Sequence, residues 1–211
     1  VPTFGRLAMI GSNPIAMAAP AEPYPFFFDA STTVVTRGKL EMYNKMSKPL
    51  PEGWALDKDG HPSSDAADVL KNIVAKNGGG IMPLGGSNEQ LGSHKGYGWG
   101  MVCEFFASIL SQGVTSNGCM KNGKSGICHG FMAINPSFCG NAEDIKAHFS
   151  TYLQELRESP KADGQERIYT HGEKEIAAYA DRQANGIAVN ENTVREMIDM
   201  ANYLGMDVKA Y

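Results

Sequence analysis

His94 and Lys95 are the residues whose types and setting most plainly invite chemistry. They lie in residues 83–113, PLGGSNEQLGSHKGYGWGMVCEFFASILSQG, a glycine-rich polar stretch running into an apolar one. Gly85, Gly86, Gly92, Gly96, Gly98 and Gly100 crowd its first half. Glycine lets a backbone bend sharply or approach a ligand closely. The lysine supplies a positive charge and the histidine a hydrogen-bonding ring. Backbone N–H groups and one lysine aimed ahead of a helix suit an anionic ligand. The same glycines would also serve a turn needed only for tight packing. Asp29 and Ser31 form a second polar group, at the end of the aromatic run Phe26-Phe27-Phe28. They suit a ligand at a strand end, or the capping of a following helix; the two roles are compatible.

Two phosphate motifs fail on spacing. Gly86 to Gly92 is one residue too long for a P-loop, and Lys95 does not directly follow the glycine. Gly96-Tyr97-Gly98-Trp99-Gly100-Met101 lacks the third glycine of a dinucleotide fingerprint.

These groups need elements to position them. Residues 15–19 and 26–32 read as strands, the second aromatic enough for burial on both faces. Residues 34–46 read as a helix stopped by Pro49 and Pro51, and 65–75 as a short helix. After Gly100, the apolar Val102, Phe105, Phe106, Ile109 and Leu110 recur at helical spacing and predict a buried helix following a glycine-rich loop. Residues 127–134 read as another strand, with His129 more in keeping with a structural role than a catalytic one. Asn141 caps a helix through 158 with the stripe Ile145, Phe149, Tyr152, Leu153 and Leu156. An extended piece at 168–173 leads to a helix over 174–185 ended by Gly186, and Asn190 caps a last helix closed by Gly205.

With 211 residues, 42% hydrophobic and 20% charged, the chain has the composition of an ordinary globular protein. A net charge of −4, with scattered Lys and Arg, argues against a nucleic-acid surface. No apolar run approaches a membrane span. Cys103, Cys119, Cys128 and Cys139 show no CxxC spacing, so no zinc site is expected. The acidic turn at 52–60 has the wrong spacing for calcium. Val1-Pro2-Thr3 carries no secretion signal, and a reducing cytoplasm is expected.

The ordered set of motifs resembles the malate/L-lactate dehydrogenase family of the non-Rossmann type, with sulfolactate dehydrogenase, ureidoglycolate dehydrogenase and diketogulonate reductase. The matching residues are Gly11-Ser12-Asn13-Pro14-Ile15-Ala16, Phe28-Asp29-Ala30-Ser31 and Arg37-Gly38-Lys39. So are Pro51-Glu52-Gly53-Trp54-Ala55-Leu56-Asp57, Pro83-Leu84-Gly85-Gly86, His94-Lys95-Gly96-Tyr97-Gly98 and Gly186-Ile187-Ala188-Val189. His171-Gly172-Glu173 resembles a Pro-Gly-Glu element, with histidine replacing the proline. Each motif is weak alone, but their order spans the chain.

The resemblance implies an α/β fold: a non-Rossmann cofactor-binding sheet flanked by helices, sulfolactate-dehydrogenase-like. It implies NAD or NADP as cofactor, contacted by Asp29, Ala30, Ser31, His94, Lys95, His171, Gly172 and Glu173. Lys95 would pair with a phosphate. The substrate would be a small 2-hydroxy or 2-oxo acid such as malate, lactate or ureidoglycolate, and the assembly a homodimer. Residues 1–165 would form the cofactor-binding domain and 166–211 a helical segment packing on an N-terminal domain. The family's catalytic histidine, in a Ser-His-Gly element, has no match among His61, His94, His129, His148 and His171. The expectation is therefore a fragment of a dehydrogenase, inactive alone for want of a positioned base. The alternative is a catalytically silent cofactor-binding or structural protein.

Overall fold

The computed structural model describes residues 1–121 and 125–207. Its contacts divide the chain into two units, Val1–Gly172 and Glu173–Tyr211.

In the first unit, β1 (Ile15–Ala19) and β2 (Phe26–Ala30) pair antiparallel, Ile15 opposite Ala30 and Ala19 opposite Phe26. β3 (Ala55–Leu56) and β4 (Gly80–Ile81) form a second antiparallel pair. Neither two-stranded sheet is a doubly wound Rossmann sheet. The burial of the three phenylalanines alternates as a strand's period of two requires: Phe26 and Phe28 are half-buried, Phe27 is exposed. Burial on both faces, expected from three consecutive aromatics, does not occur, because only one face of this hairpin is covered.

Helix α1 (Arg37–Lys45) begins later than the apolar pattern predicts. The Val34 N–H donates to the Met82 carbonyl, which commits that residue to extended backbone. Helix α2 (Ala66–Ala75) starts where Asp65 accepts from the Asp68 N–H at 3.0 Å, satisfying one of the first-turn donors. It ends at Lys76 in the left-handed region. Just before it, the Asp57 carboxylate closes a turn by accepting from the N–H groups of His61 and Asp59, each at 2.9 Å. The His61 bond leads in holding that carboxyl below its ordinary pKa.

Helix α3 (Ser93–Glu104) continues into a π-helical turn at Phe105–Ile109. Here the structure corrects the sequence reading. His94, Lys95, Gly96, Gly98 and Gly100 lie in the helix, not in a loop before it. Glycine is a poor helix former, but Gly96 and Gly100 face neighbouring segments too close for a larger side chain. A Cβ on Gly96 would collide with the Leu84 backbone, and one on Gly100 would come within 3.2 Å of Ile10 and Thr32. The buried residues of α3 are Ser93, Gly96 and Gly100, while Val102, Phe105, Phe106, Ile109 and Leu110 are exposed.

A second correction concerns residues 127–134, which pair with no strand among the described residues. They run beside the π turn, where a Cβ on Gly130 would meet the Phe106 carbonyl oxygen at 3.2 Å. A helical turn offers no free ladder, and Phe131, Met132 and Ile134 stay exposed. Helix α4 (Ala142–Glu158) is capped by Asn141, which accepts from the N–H groups of Glu143 and Asp144. Of its apolar stripe, only Leu153 is fully buried.

In the second unit, α5 (Glu173–Asn185) is followed by Gly186 at positive φ. Helix α6 (Glu191–Tyr203) is capped by Asn190, which accepts from the Thr193 N–H at 2.9 Å. No helix among the described residues is long and apolar enough to cross a membrane.

The core of the first unit lies between α1, α2 and the β3–β4 pair. Leu40, Leu50, Ala55, Ala66, Val69 and Ile81 are buried together, with Tyr43 and Trp54 packed edge-to-face over them at 5.1 Å. Leu40 and Val69 expose nothing to solvent. Leu40→Ala should therefore cost about 2–5 kcal/mol. Met42→Ala, on the exposed side of the same helix, should stay within about 0.5 kcal/mol. Urea denaturation of the two variants checks this; equal losses would mean that the core is elsewhere.

Candidate functional site

The first turn of α3 overlooks a depression of about 310 Å³, lined among others by Leu84, Gly85, Glu89, Gly92, Lys95 and Trp99. Its floor is backbone. A Cβ on Gly85 would strike the Gly92–Ser93 peptide, so these two strands of chain lie in direct contact. Asn88 shapes the rim by accepting from the Leu91 N–H at 2.9 Å. The N-terminus of α3 adds the positive end of a helix dipole. His94 and Lys95 are exposed, and neither side chain makes a hydrogen bond or ion pair with another described residue. Among the described residues, no group of three or more His, Cys, Asp or Glu could hold a metal ion.

The exit of β2 is tied to this depression through Pro83 and Leu84. Thr33 bridges Pro83, and the Leu84 N–H donates to the Thr32 carbonyl at 2.9 Å. Ser31 lies in that exit, its hydroxyl donating to the Thr33 carbonyl at 3.0 Å. Thr32 and Thr33 thus tie the strand exit, in which Ser31 precedes them, to the segment beside Lys95. Asp29 is on the exposed face of β2, in register with Ala16, and its side chain makes no hydrogen bond with a described residue.

His171 and Gly172 flank the other part of β2. The Phe27 N–H donates to the His171 carbonyl at 3.2 Å. The His171 ring packs edge-on between Phe26 and Phe28, at 5.5 and 5.2 Å. Gly172 has φ 104°, and a Cβ there would press on the Pro25 carbonyl and the Phe27 backbone. Helix α4 holds this edge in place. Phe149 stacks edge-on against Phe26 at 5.6 Å, and Arg157 donates to the Thr170 hydroxyl at 3.0 Å. Glu173 opens α5, as an acidic residue in the first turn of the second unit.

One carboxylate escaped the sequence reading. Glu104, the last residue of α3, accepts from Asn13 Nδ2 at 2.9 Å, Ser116 N–H at 2.5 Å, Ser116 Oγ at 2.6 Å and Ser108 Oγ at 3.3 Å. Asn13 also donates to the Gly100 carbonyl at 3.0 Å. This knot fastens the turn before β1 and the segment after the π turn to the end of α3. A lone acid in the otherwise apolar run GMVCEFFASIL was the available signal. Partial burial pushes the Glu104 carboxyl upward, but the bonds from Ser116, Asn13 and Ser108 outweigh it and hold the group below its ordinary pKa.

The chain matches the family model of malate/L-lactate dehydrogenase over residues 1–198. It is 36% identical to a malate dehydrogenase of Pyrococcus horikoshii, covering 98% of this chain and 56% of that protein. It is 33% identical to an L-sulfolactate dehydrogenase of Methanocaldococcus jannaschii, covering 100% and 57%. The crystal structure of malate dehydrogenase from Entamoeba histolytica superposes with TM-score 0.91 at 32% identity, over 100% of this chain and 59% of that one. The sulfolactate dehydrogenase structure from M. jannaschii superposes with TM-score 0.74. The fold is thus the α/β, sulfolactate-dehydrogenase-like class. The chain belongs to the malate/L-lactate dehydrogenase family, and spans a little over half the length of these relatives.

The knot yields a test of its own. Glu104→Gln keeps the volume but brings N–H donors among donors, and should cost about 2 kcal/mol at pH 7. A depressed folded pKa means that the stabilisation is complete above the unfolded carboxyl value and lost as pH falls through the folded one. The gap between wild type and variant should therefore be widest at neutral pH and shrink in acid, as read by urea denaturation at pH 7 and pH 3.

Proposed function

We propose that this chain carries the cofactor-handling part of an NAD(P)-dependent dehydrogenase acting on small 2-hydroxy acids or their 2-oxo counterparts. The observation that carries the reading is Lys95, uncommitted at the first turn of α3 above a backbone-floored depression, in a chain of the malate/L-lactate dehydrogenase family.

The residues fit part of such a cofactor. A volume of about 310 Å³ is at the small end of ligand pockets, enough for a phosphate-bearing portion rather than a whole dinucleotide. An ammonium, the positive end of a helix and close glycine backbone suit phosphate oxygens. Trp99 offers an apolar face, while Glu89 on the rim disfavours excess negative charge on its own side. When bound, a nicotinamide would accept or supply the hydride; the protein's part is binding and orientation. In this reading Lys95 neutralises phosphate and His94 borders it. Asp29, Ala30 and Ser31 line the adjoining strand exit, and His171 and Gly172 contribute a further contact. The proton acceptor for the substrate hydroxyl is assigned to none of the five histidines. Malate and sulfolactate, acted on by the relatives as their names state, are the first substrates to try, followed by lactate and ureidoglycolate. Assembly as a homodimer belongs to the same proposal, supported by the exposed apolar residues of α3 and its π turn.

A charge-assisted contact is worth about 1.5–3 kcal/mol. Lys95→Ala should therefore weaken NADH or NADPH binding by about tenfold or more, measured by nucleotide fluorescence on the whole protein. An unchanged titration with intact circular dichroism refutes the assignment. Cofactor binding without turnover on any of these acids would point to the catalytically silent alternative.

A further inference from the structure

Two of the four cysteines share one acceptor. Cys119 Sγ lies 3.5 Å from the Gly126 carbonyl oxygen, and Cys128 Sγ lies 3.6 Å from the same atom. The two sulfurs can be no further apart than the sum of those distances. Both residues are half-buried, so solvent reaches them. The backbone brings the two sides of the segment together: the Met120 N–H donates to the Ser125 carbonyl at 3.2 Å. Cys128 is seated against Gly113, where a Cβ would collide with its sulfur, and has the Val114 carbonyl 3.8 Å away. Cys119 is held from the other side, its N–H donating to the carbonyls of Thr115 and Ser116, each at 3.2 Å.

We propose that Cys119 and Cys128 form a redox-active pair that closes to an intramolecular disulfide on exposure to a hydroperoxide. A thiolate attacks one peroxide oxygen and breaks the O–O bond, giving a sulfenic acid and one molecule of water or alcohol. The second sulfur then attacks the first, the S–S bond forms, and the hydroxyl leaves as water. The two thiols together lose two electrons and two protons, and the peroxide is reduced. Forming the bond needs the sulfurs about 2.05 Å apart, which calls for rotation of both side chains away from the shared carbonyl. The other two thiols are set apart from this chemistry. Burial leads in pushing the Cys103 thiol up, which starves it of thiolate. Cys139 is exposed and its thiol makes none of these contacts. Ser116, which binds Glu104, is three residues before Cys119. Closing the pair would therefore add a covalent tie to the segment that the carboxylate knot already holds.

The test is peptide mapping of the whole protein. It is purified reduced, treated with a small excess of hydrogen peroxide, alkylated and digested with trypsin without reductant. Trypsin separates residues 96–121 from 125–146, each carrying two cysteines. The expected product is these peptides joined, two hydrogens lighter than their sum, with fragment ions linking Cys119 to Cys128 and release by dithiothreitol. Cys119→Ser and Cys128→Ser should each abolish the link, while Cys103→Ser and Cys139→Ser retain it. A link through Cys103 or Cys139 would overturn the proposal. So would recovery of separate peptides carrying only thiols or sulfinic and sulfonic acids, a result read on wild-type protein and independent of how any variant folds.

Discussion

Backbone-to-backbone contact beneath α3 is the constraint on which the rest of the first unit depends. Gly96 lies against the Leu84 backbone and Gly85 against the Gly92–Ser93 peptide, while Gly100 meets the side chains of Thr32 and Ile10. Any side chain at Gly96 would push the helix off the Pro83–Leu84 segment. That segment is hydrogen-bonded to the exit of β2, and Val34 beyond it is bonded to Met82 at the edge of the core. One close contact therefore fixes the helix start, the strand exit and the route into the α1–α2 core. Glycine's weak helical propensity costs about 1 kcal/mol per residue relative to alanine. The structure accepts that cost because no larger residue permits the approach.

The parts of the fold that were legible in the sequence are those fixed by local chemistry. Asp65, Asn141 and Asn190 marked helix starts because a short polar side chain satisfies first-turn N–H groups. Gly186 marked a helix end through its positive φ. The strands β1 and β2 were legible in their two apolar runs, though not their pairing as a hairpin. The ordered motifs also carried the family, because each records a local backbone need that substitutions elsewhere leave intact.

What was not legible depends on contacts between distant segments. Residues 127–134 have the composition of a strand, yet composition cannot say whether a free edge is within reach, and here the neighbour is a π turn. Gly96 and Gly100 looked like part of a loop because propensity was weighed without the packing that overrides it. The apolar spacing after Gly100 did identify a helical segment, but periodicity reports which residues share a face, not whether anything covers it. Val102, Phe105 and Phe106 share such a face and remain exposed. Of the candidate site, the strand exit and the first turn of α3 were both singled out from residue type. That Pro83 and Leu84 join them could not be read from a sequence in which they lie some fifty residues from Ser31.

The polar groups of the first unit divide by whether they are already committed to other groups of the fold. Glu104 accepts bonds from Asn13, Ser108 and Ser116. A carboxylate so occupied has no lone pairs to offer a ligand, and its lowered pKa records those bonds. Lys95, His94 and Asp29 are the opposite case, exposed and with side chains unbonded to other described residues. Lysine loses much side-chain entropy when fixed, so an isolated one is not held in place by folding alone. What sets Lys95 apart from other surface lysines is its floor: glycine backbone drawn close by the Gly96 contact, at the positive end of a helix. The packing constraint that organises the fold thus also shapes the backbone floor beneath Lys95, and a substitution at Gly96 would disturb both at once.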